Sequence, residues 1–107
     1  MDKQNSSLEV RQIPFKEIAA LAQSRCRNLI PTILPEGVEK SGEWISRNPR
    51  RNDKSLGSFK FNLNTGLWAD FATGDCGGDI ISLIAYLDQS SQLNAARKLM
   101  KIMGDRI

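Results

Sequence analysis

The spacing of apolar residues changes period twice along the chain. Between Pro14 and Leu29, the residues Phe15, Ile18, Ala19, Ala22, Cys26 and Leu29 recur at helical intervals. Pro14 suits a first helical turn, Glu17 complements the N-terminal end of the dipole, and Arg25 and Arg27 complement the C-terminal end. This predicts a helix over 14–29, closed before Pro31. Residues 30–40 contain Pro31, Pro35 and Gly37 and read as an extended connector rather than a helix, one that brings Ile33 and Leu34 to the core. From Gly42 the period becomes two. Glu43 to Arg47, Phe59 to Leu63 and Leu67 to Phe71 read as short strands, with Asn64-Thr65-Gly66 as a hairpin turn whose glycine takes a positive φ. After Gly77-Gly78 the helical period returns. Asp79 is a good N-cap, and Ile80, Ile81, Leu83, Ile84, Ala85 and Leu87 surround a helix over 79–88 that must lie largely buried across the sheet. Ser91 caps a last helix over 91–103, with Leu93, Ala96, Leu99, Met100 and Met103 on one face and Gly104 at its stop.

These elements predict an α+β fold: a small antiparallel β-sheet over 42–71, a meander of three to four strands, packed against three helices. They form one domain over 13–107, preceded by a polar, flexible N-terminal arm over 1–12. A chain of 107 residues that is 40% hydrophobic buries only a modest core, which fits one small globular domain. Trp44, Phe59, Phe61, Trp68 and Phe71 place most of its aromatic residues on the sheet, and the simplest role for them is its core.

Cys26 and Cys76 are the only two cysteines and the chain has no histidine, so neither a disulfide framework nor a zinc site can be assembled by spacing. Cys76 lies close to a helix N-terminus, yet no base or resolving thiol stands near it in the sequence, and it reads as incidental. No run has the length a bilayer needs and Met1 to Ser7 lacks the apolar core of a secretory signal, so a cytoplasmic protein with no membrane partner is expected. The net charge is +3, but its distribution says more: Arg47, Arg50, Arg51, Lys54 and Lys60 are set against the single acid Asp53 within one window. A phosphate backbone would select such a patch, and a solvated loop produces one about as often.

Order and spacing now carry a resemblance. Asn48-Pro49-Arg50-Arg51, Ser58-Phe59, Gly66-Leu67-Trp68, Phe71, Gly74, Gly77-Gly78-Asp79-Ile80-Ile81 and Ala95-Ala96-Arg97-Lys98-Leu99 resemble the N-terminal zinc-binding (zinc-ribbon) domain of bacterial and phage DNA primases of the DnaG type. That family has Cys-Pro-x-His, a Pro-Ser-Phe strand, a hairpin, Cys-x-x-Cys and a Gly-Gly-Asp that opens a helix. The resemblance covers roughly residues 42–100. On its pattern the four ligand positions hold Asn48, Arg51, Asp70 and Thr73. Arginine cannot ligate a metal, and asparagine and threonine are poor zinc partners, so no metal or other cofactor is expected. A small metallo-domain usually depends on its metal to fold, and something must replace it. Arg51 and Asp70, one from each former knuckle, are expected to form a charge-assisted pair with Asn48 and Thr73 hydrogen-bonded around it; the competing reading makes Arg51 a phosphate-facing surface residue. Gly74, Gly77 and Gly78 serve a tight turn better than a phosphate cradle, because Asp75 and Asp79 would repel an anion there.

In the resembled primases this module contacts single-stranded template DNA, while a separate Toprim domain carries out nucleotidyl transfer. The resemblance therefore implies a non-catalytic single-stranded DNA-binding module of a primase or primase-like replication protein of a phage, plasmid or other mobile element. Its partners would include a primase catalytic domain, a helicase or a polymerase. Arg47, Arg50, Arg51, Lys54 and Lys60 are the expected phosphate contacts, and Trp68 or Trp44 the expected stacking platform. Two alternatives stand beside it: a protein-docking domain that uses Met100 and Met103 of the last helix, and the excised front of a larger primase.

Overall fold

A computed structural model of the chain describes residues 13–51 and 57–104. The expected flexible arm over 1–12 and the expected phosphate contact Lys54 lie outside the described residues. Two helices come first, α1 (Phe15–Ser24) and α2 (Cys26–Ile33). A five-stranded antiparallel sheet follows, β1 (Val38–Lys40), β2 (Glu43–Ser46), β3 (Phe59–Asn62), β4 (Trp68–Asp70) and β5 (Cys76–Gly77), in spatial order β1-β2-β3-β4-β5. The chain then forms α3 (Ile80–Asp88) and α4 (Gln92–Met103). The fold is α+β, as the periodicity predicts.

Several boundaries differ from expectation. The single helix over 14–29 is broken at Arg25, whose φ of −113° and ψ of 14° end α1, and whose carbonyl accepts the amides of Asn28 and Leu29 as α2 restarts. Residues 30–33 are therefore helical where an extended connector was expected, with Pro31 inside α2. Proline in a helix interior costs about 3 kcal/mol. Burial of Leu29, Ile30 and Leu34 offsets that cost, each full apolar burial contributing about 1.5 to 3 kcal/mol. The sheet also extends past 42–71 at both ends, because Val38–Lys40 pairs with β2 and Cys76–Gly77 with β4. The described residues thus form four helices where three were expected and five strands where three to four were expected.

Register assigns each side chain to a face, because directly opposed residues of antiparallel strands share one. Glu39, Trp44, Phe61, Trp68 and Gly77 form one cross-strand row, and Ser46, Phe59 and Asp70 form the next on the same inner face. Phe59, Phe61 and Trp68 are buried there with Ile18, Ala22, Leu83, Ile84, Ala96 and Leu99 from the helices. The Tyr86 ring of α3 lies 4.9 Å from that of Trp68 and 6.2 Å from that of Phe59, which seats α3 over the inner face. The predicted caps form: Asp79 and Ser82 make a reciprocal capping box, Ser91 caps α4, and Gly104 ends α4 with a left-handed backbone. Gly66 takes its positive φ in the β3–β4 turn.

The opposite face carries Val38, Ile45, Lys60, Ala69 and Cys76 as its central row. Leu67 and Phe71 flank it by alternation along β4. Val38, Leu67 and Phe71 are exposed large apolar side chains, so this face of the sheet lies open.

Candidate nucleic-acid interface

Two loops meet at the inner edge of the sheet, the one after β2 and the one after β4, and a polar network joins them. Arg51 approaches Asp70 as a fork: Nε donates to Oδ2 at 2.9 Å and Nη2 to Oδ1 at 3.3 Å. Asn48 Nδ2 donates to Asp70 Oδ2 at 2.7 Å and to the Tyr86 hydroxyl at 2.8 Å, while Asn48 Oδ1 accepts the Arg50 amide at 2.8 Å. The Ala72 amide donates to Asp70 Oδ1 at 2.8 Å. Asp70 is fully buried, and two donors on each oxygen fill the acceptor capacity of a carboxylate. Burial alone would raise its pKa. The hydrogen bonds from Asn48 and Arg51, then the Ala72 amide and the Arg51 charge, outweigh burial and hold the carboxyl below its usual value.

The network continues outward. Tyr86 donates its hydroxyl to Asp75 Oδ2 at 2.8 Å, and Thr73 Oγ1 donates to the same oxygen at 3.1 Å. Desolvation is the main reason the Tyr86 hydroxyl titrates above its ordinary value; the Asn48 hydrogen bond lowers it and Asp75 raises it. The Arg50 guanidinium stacks over the Tyr86 ring with Cζ 4.6 Å from the centroid. Among the described residues, no group of three or more His, Cys, Asp or Glu side chains converges in a way that could hold a metal ion.

Three of the four positions laid on the zinc-ribbon pattern, Asn48, Arg51 and Asp70, are thus in direct contact. Thr73 joins differently from expectation. Its amide donates to the Asp70 carbonyl at 3.2 Å, but its hydroxyl is drawn to Asp75, the nearer charged acceptor. Arg51 is turned toward Asp70 with its side chain 31% exposed, so the expected pair forms.

The tryptophans do not form stacking platforms. Trp68 is 4% exposed, its ring lies against Phe59 and Tyr86, and its Nε1 donates to Ser82 Oγ at 3.0 Å. Its place in the inner row follows from its register opposite Phe61. Trp44 is half-buried in the same row, with Nε1 donating to the Leu34 carbonyl at 2.9 Å and the indole lying against Gly37, where a Cβ would approach to 2.2 Å. Phe71, expected in the sheet core, instead lies open at 70% exposure. Alternation identifies it: Asp70 faces inward, so the next residue faces outward.

Among the described residues, the basic side chains of the predicted patch lie apart from one another. Lys60 stands on the outer face with Nζ 5.6 Å from the Phe71 ring centroid, and it also reaches Glu43 at 4.0 Å. Arg47 is exposed near Glu36, with 3.7 Å between Nη1 and Oε1, and borders a shallow groove with Ile33, Leu34, Pro35 and Pro49. Arg50 lies over Tyr86 on the other side of the sheet from Lys60. Cys76 is exposed in the outer row beside Ala69, whereas Cys26 is buried, donates its thiol to the Leu63 carbonyl and has a pKa raised mainly by burial. Met100 and Met103 are half-buried against the core, so they do not present an open methionine surface. No helix among the described residues is long and apolar enough to cross a membrane. Comparison with protein-family models, with curated proteins and with solved structures finds no match to this chain.

Proposed function

We propose that this chain is a metal-free, non-catalytic single-stranded DNA-binding module, akin to the ribbon domain of DnaG-type primases, and that it takes the strand across the outer face of its sheet. The observation that carries the proposal is Phe71: a 70% exposed ring with the Lys60 ammonium beside it, on a sheet face that the helices leave open. Such a pair offers a flat surface to a base and a cation to its phosphate, and stacking of this kind tolerates every base. Arg47 follows the neighbouring strand β2, beside Glu36 and apart from this pair, and would meet the backbone only beyond it. The meeting of Asn48, Arg51 and Asp70 supports the kinship, since a ribbon without metal needs another tie between its two knuckles. In a replication protein such a module would serve a primase catalytic domain, a helicase or a polymerase by holding the template strand.

The test is fluorescence anisotropy of a labelled single-stranded oligonucleotide at two salt concentrations. Affinity should fall as salt rises, with a slope near −0.7 for each phosphate contacted. Modification of exposed Cys76 by a thiol reagent should slow when the strand is bound, because Cys76 shares the outer row with Lys60 and Ala69. No binding at low salt overturns the proposal. A salt-insensitive affinity for a helicase or polymerase in its place would mark a docking domain.

A further inference from the structure

We infer that Arg51 is a positioning residue for the Phe71 platform, acting on strand binding by holding the turn that begins at Phe71 rather than by touching phosphate. The inference rests on the outer-face reading given above and adds the device that shapes that face.

Asp70 is both the partner of Arg51 and the post on which this turn is wound. Its Oδ1 accepts the Ala72 amide at 2.8 Å, and its carbonyl accepts the amides of Thr73 at 3.2 Å and Gly74 at 2.7 Å. Its own amide donates to the Asp75 carbonyl at 2.8 Å. From the other side, the Phe71 amide donates to the Ser58 carbonyl at 2.7 Å, and Ser58 Oγ lies 3.0 Å from Arg51 Nη2. One guanidinium therefore grips both the residue before Phe71 and the residue across the ladder from it.

A ring that is 70% exposed has little packing of its own to fix it, so its place is set by its backbone. That backbone is fixed through Asp70 and Ser58 to Arg51. The guanidinium turns its Nε and Nη2 to those partners, which is the posture of a clamp. A platform held in advance binds more tightly, because less order must be imposed when the strand arrives.

The two readings of Arg51 separate in a double-variant cycle measured with labelled oligo-dT. Phe71→Ala should weaken binding roughly tenfold through loss of one stacked base. Arg51→Met should weaken it by a similar factor at each salt concentration, leave the salt slope unchanged, and add little to Phe71→Ala when the two are combined. If Arg51→Met fails to fold, Arg51→Met/Asp70→Asn removes both charges together and takes its place, since it leaves no buried charge without a partner. A salt slope reduced by about 0.7, with effects that multiply, would make Arg51 a phosphate contact and overturn the inference while sparing the outer-face reading. A native chain that binds no oligo-dT fails earlier, and takes both down.

Discussion

Trp68 of the sheet and Ser82 of α3 are joined by a 3.0 Å hydrogen bond from Nε1 to Oγ, and Ser82 is also the residue that closes the capping box on Asp79. One hydroxyl thus sets the helix start and the seat of the helix on the sheet. The space beside it is taken, since a Cβ on Gly77 would stand 2.5 Å from both the Trp68 indole and Ser82 Oγ. Gly77→Ala should therefore destabilise the fold by about 1 to 3 kcal/mol, as overpacking does, and chemical denaturation would measure it. Gly74 has open space around it, so only its left-handed backbone, at a φ of +86°, resists alanine there.

Arg51→Ala leaves the carboxylate of Asp70 buried with the charge of its partner gone. Breaking a buried pair from one side costs about 3 to 5 kcal/mol, and the partial exposure of Arg51 places this variant at the lower end. The melting temperature should fall by at least about 10 °C in a calorimetric scan. An unchanged melt would show that the two loops are held together without this pair.

The same carboxylate makes stability depend on acidity. Its pKa is depressed in the folded chain, so as pH falls the unfolded chain takes up its proton first, near pH 4. Below that point the unfolded state binds more protons, and the contribution of Asp70 is lost progressively until the folded-state pKa is passed; above it the contribution is complete. Denaturation midpoints of native protein and Asp70→Asn, measured between about pH 2 and 6, should converge toward the acid end, the variant showing the shallower slope.

Phe71→Ala should separate stability from binding. The side chain is mostly in solvent, and a substitution at such a site shifts stability by no more than about 0.5 kcal/mol. The melt of this variant should overlay that of the native chain while its affinity for single strands drops. Trp68→Ala should do the reverse, with a loss of about 3 to 5 kcal/mol expected for a large buried aromatic.

Periodicity made the main elements legible because each buries one face, and burial leaves a trace in residue spacing. It did not reveal the break at Arg25, since a single residue leaving helical geometry disturbs neither neighbour's pattern, nor the helical turn through Pro31, which tertiary burial of Ile30 and Leu34 overrides. The short strands β1 and β5 carry too few residues for any period. The Arg51–Asp70 pair was legible because the resemblance lays both residues on positions that lie close together in the resembled fold. Tyr86 was not, since it lies on a helix whose apolar residues dominate the reading and its hydroxyl acquires partners only when Asn48 and Asp75 arrive from elsewhere. Residue type points to tryptophan for an open aromatic ring, whereas strand alternation does not. Counting outward from a buried Asp70 gives Phe71 instead.

The network of Asn48, Arg51, Asp70, Asp75 and Tyr86 draws on segments that meet only after the β3–β4 hairpin and α3 have come together. Contacts between segments this far apart in sequence are expected to close late in folding, as a latch does. Weakening it should speed escape from the native state while leaving the rate of return nearly untouched. On this expectation the buried carboxylate lengthens the lifetime of the folded chain more than it hastens its formation.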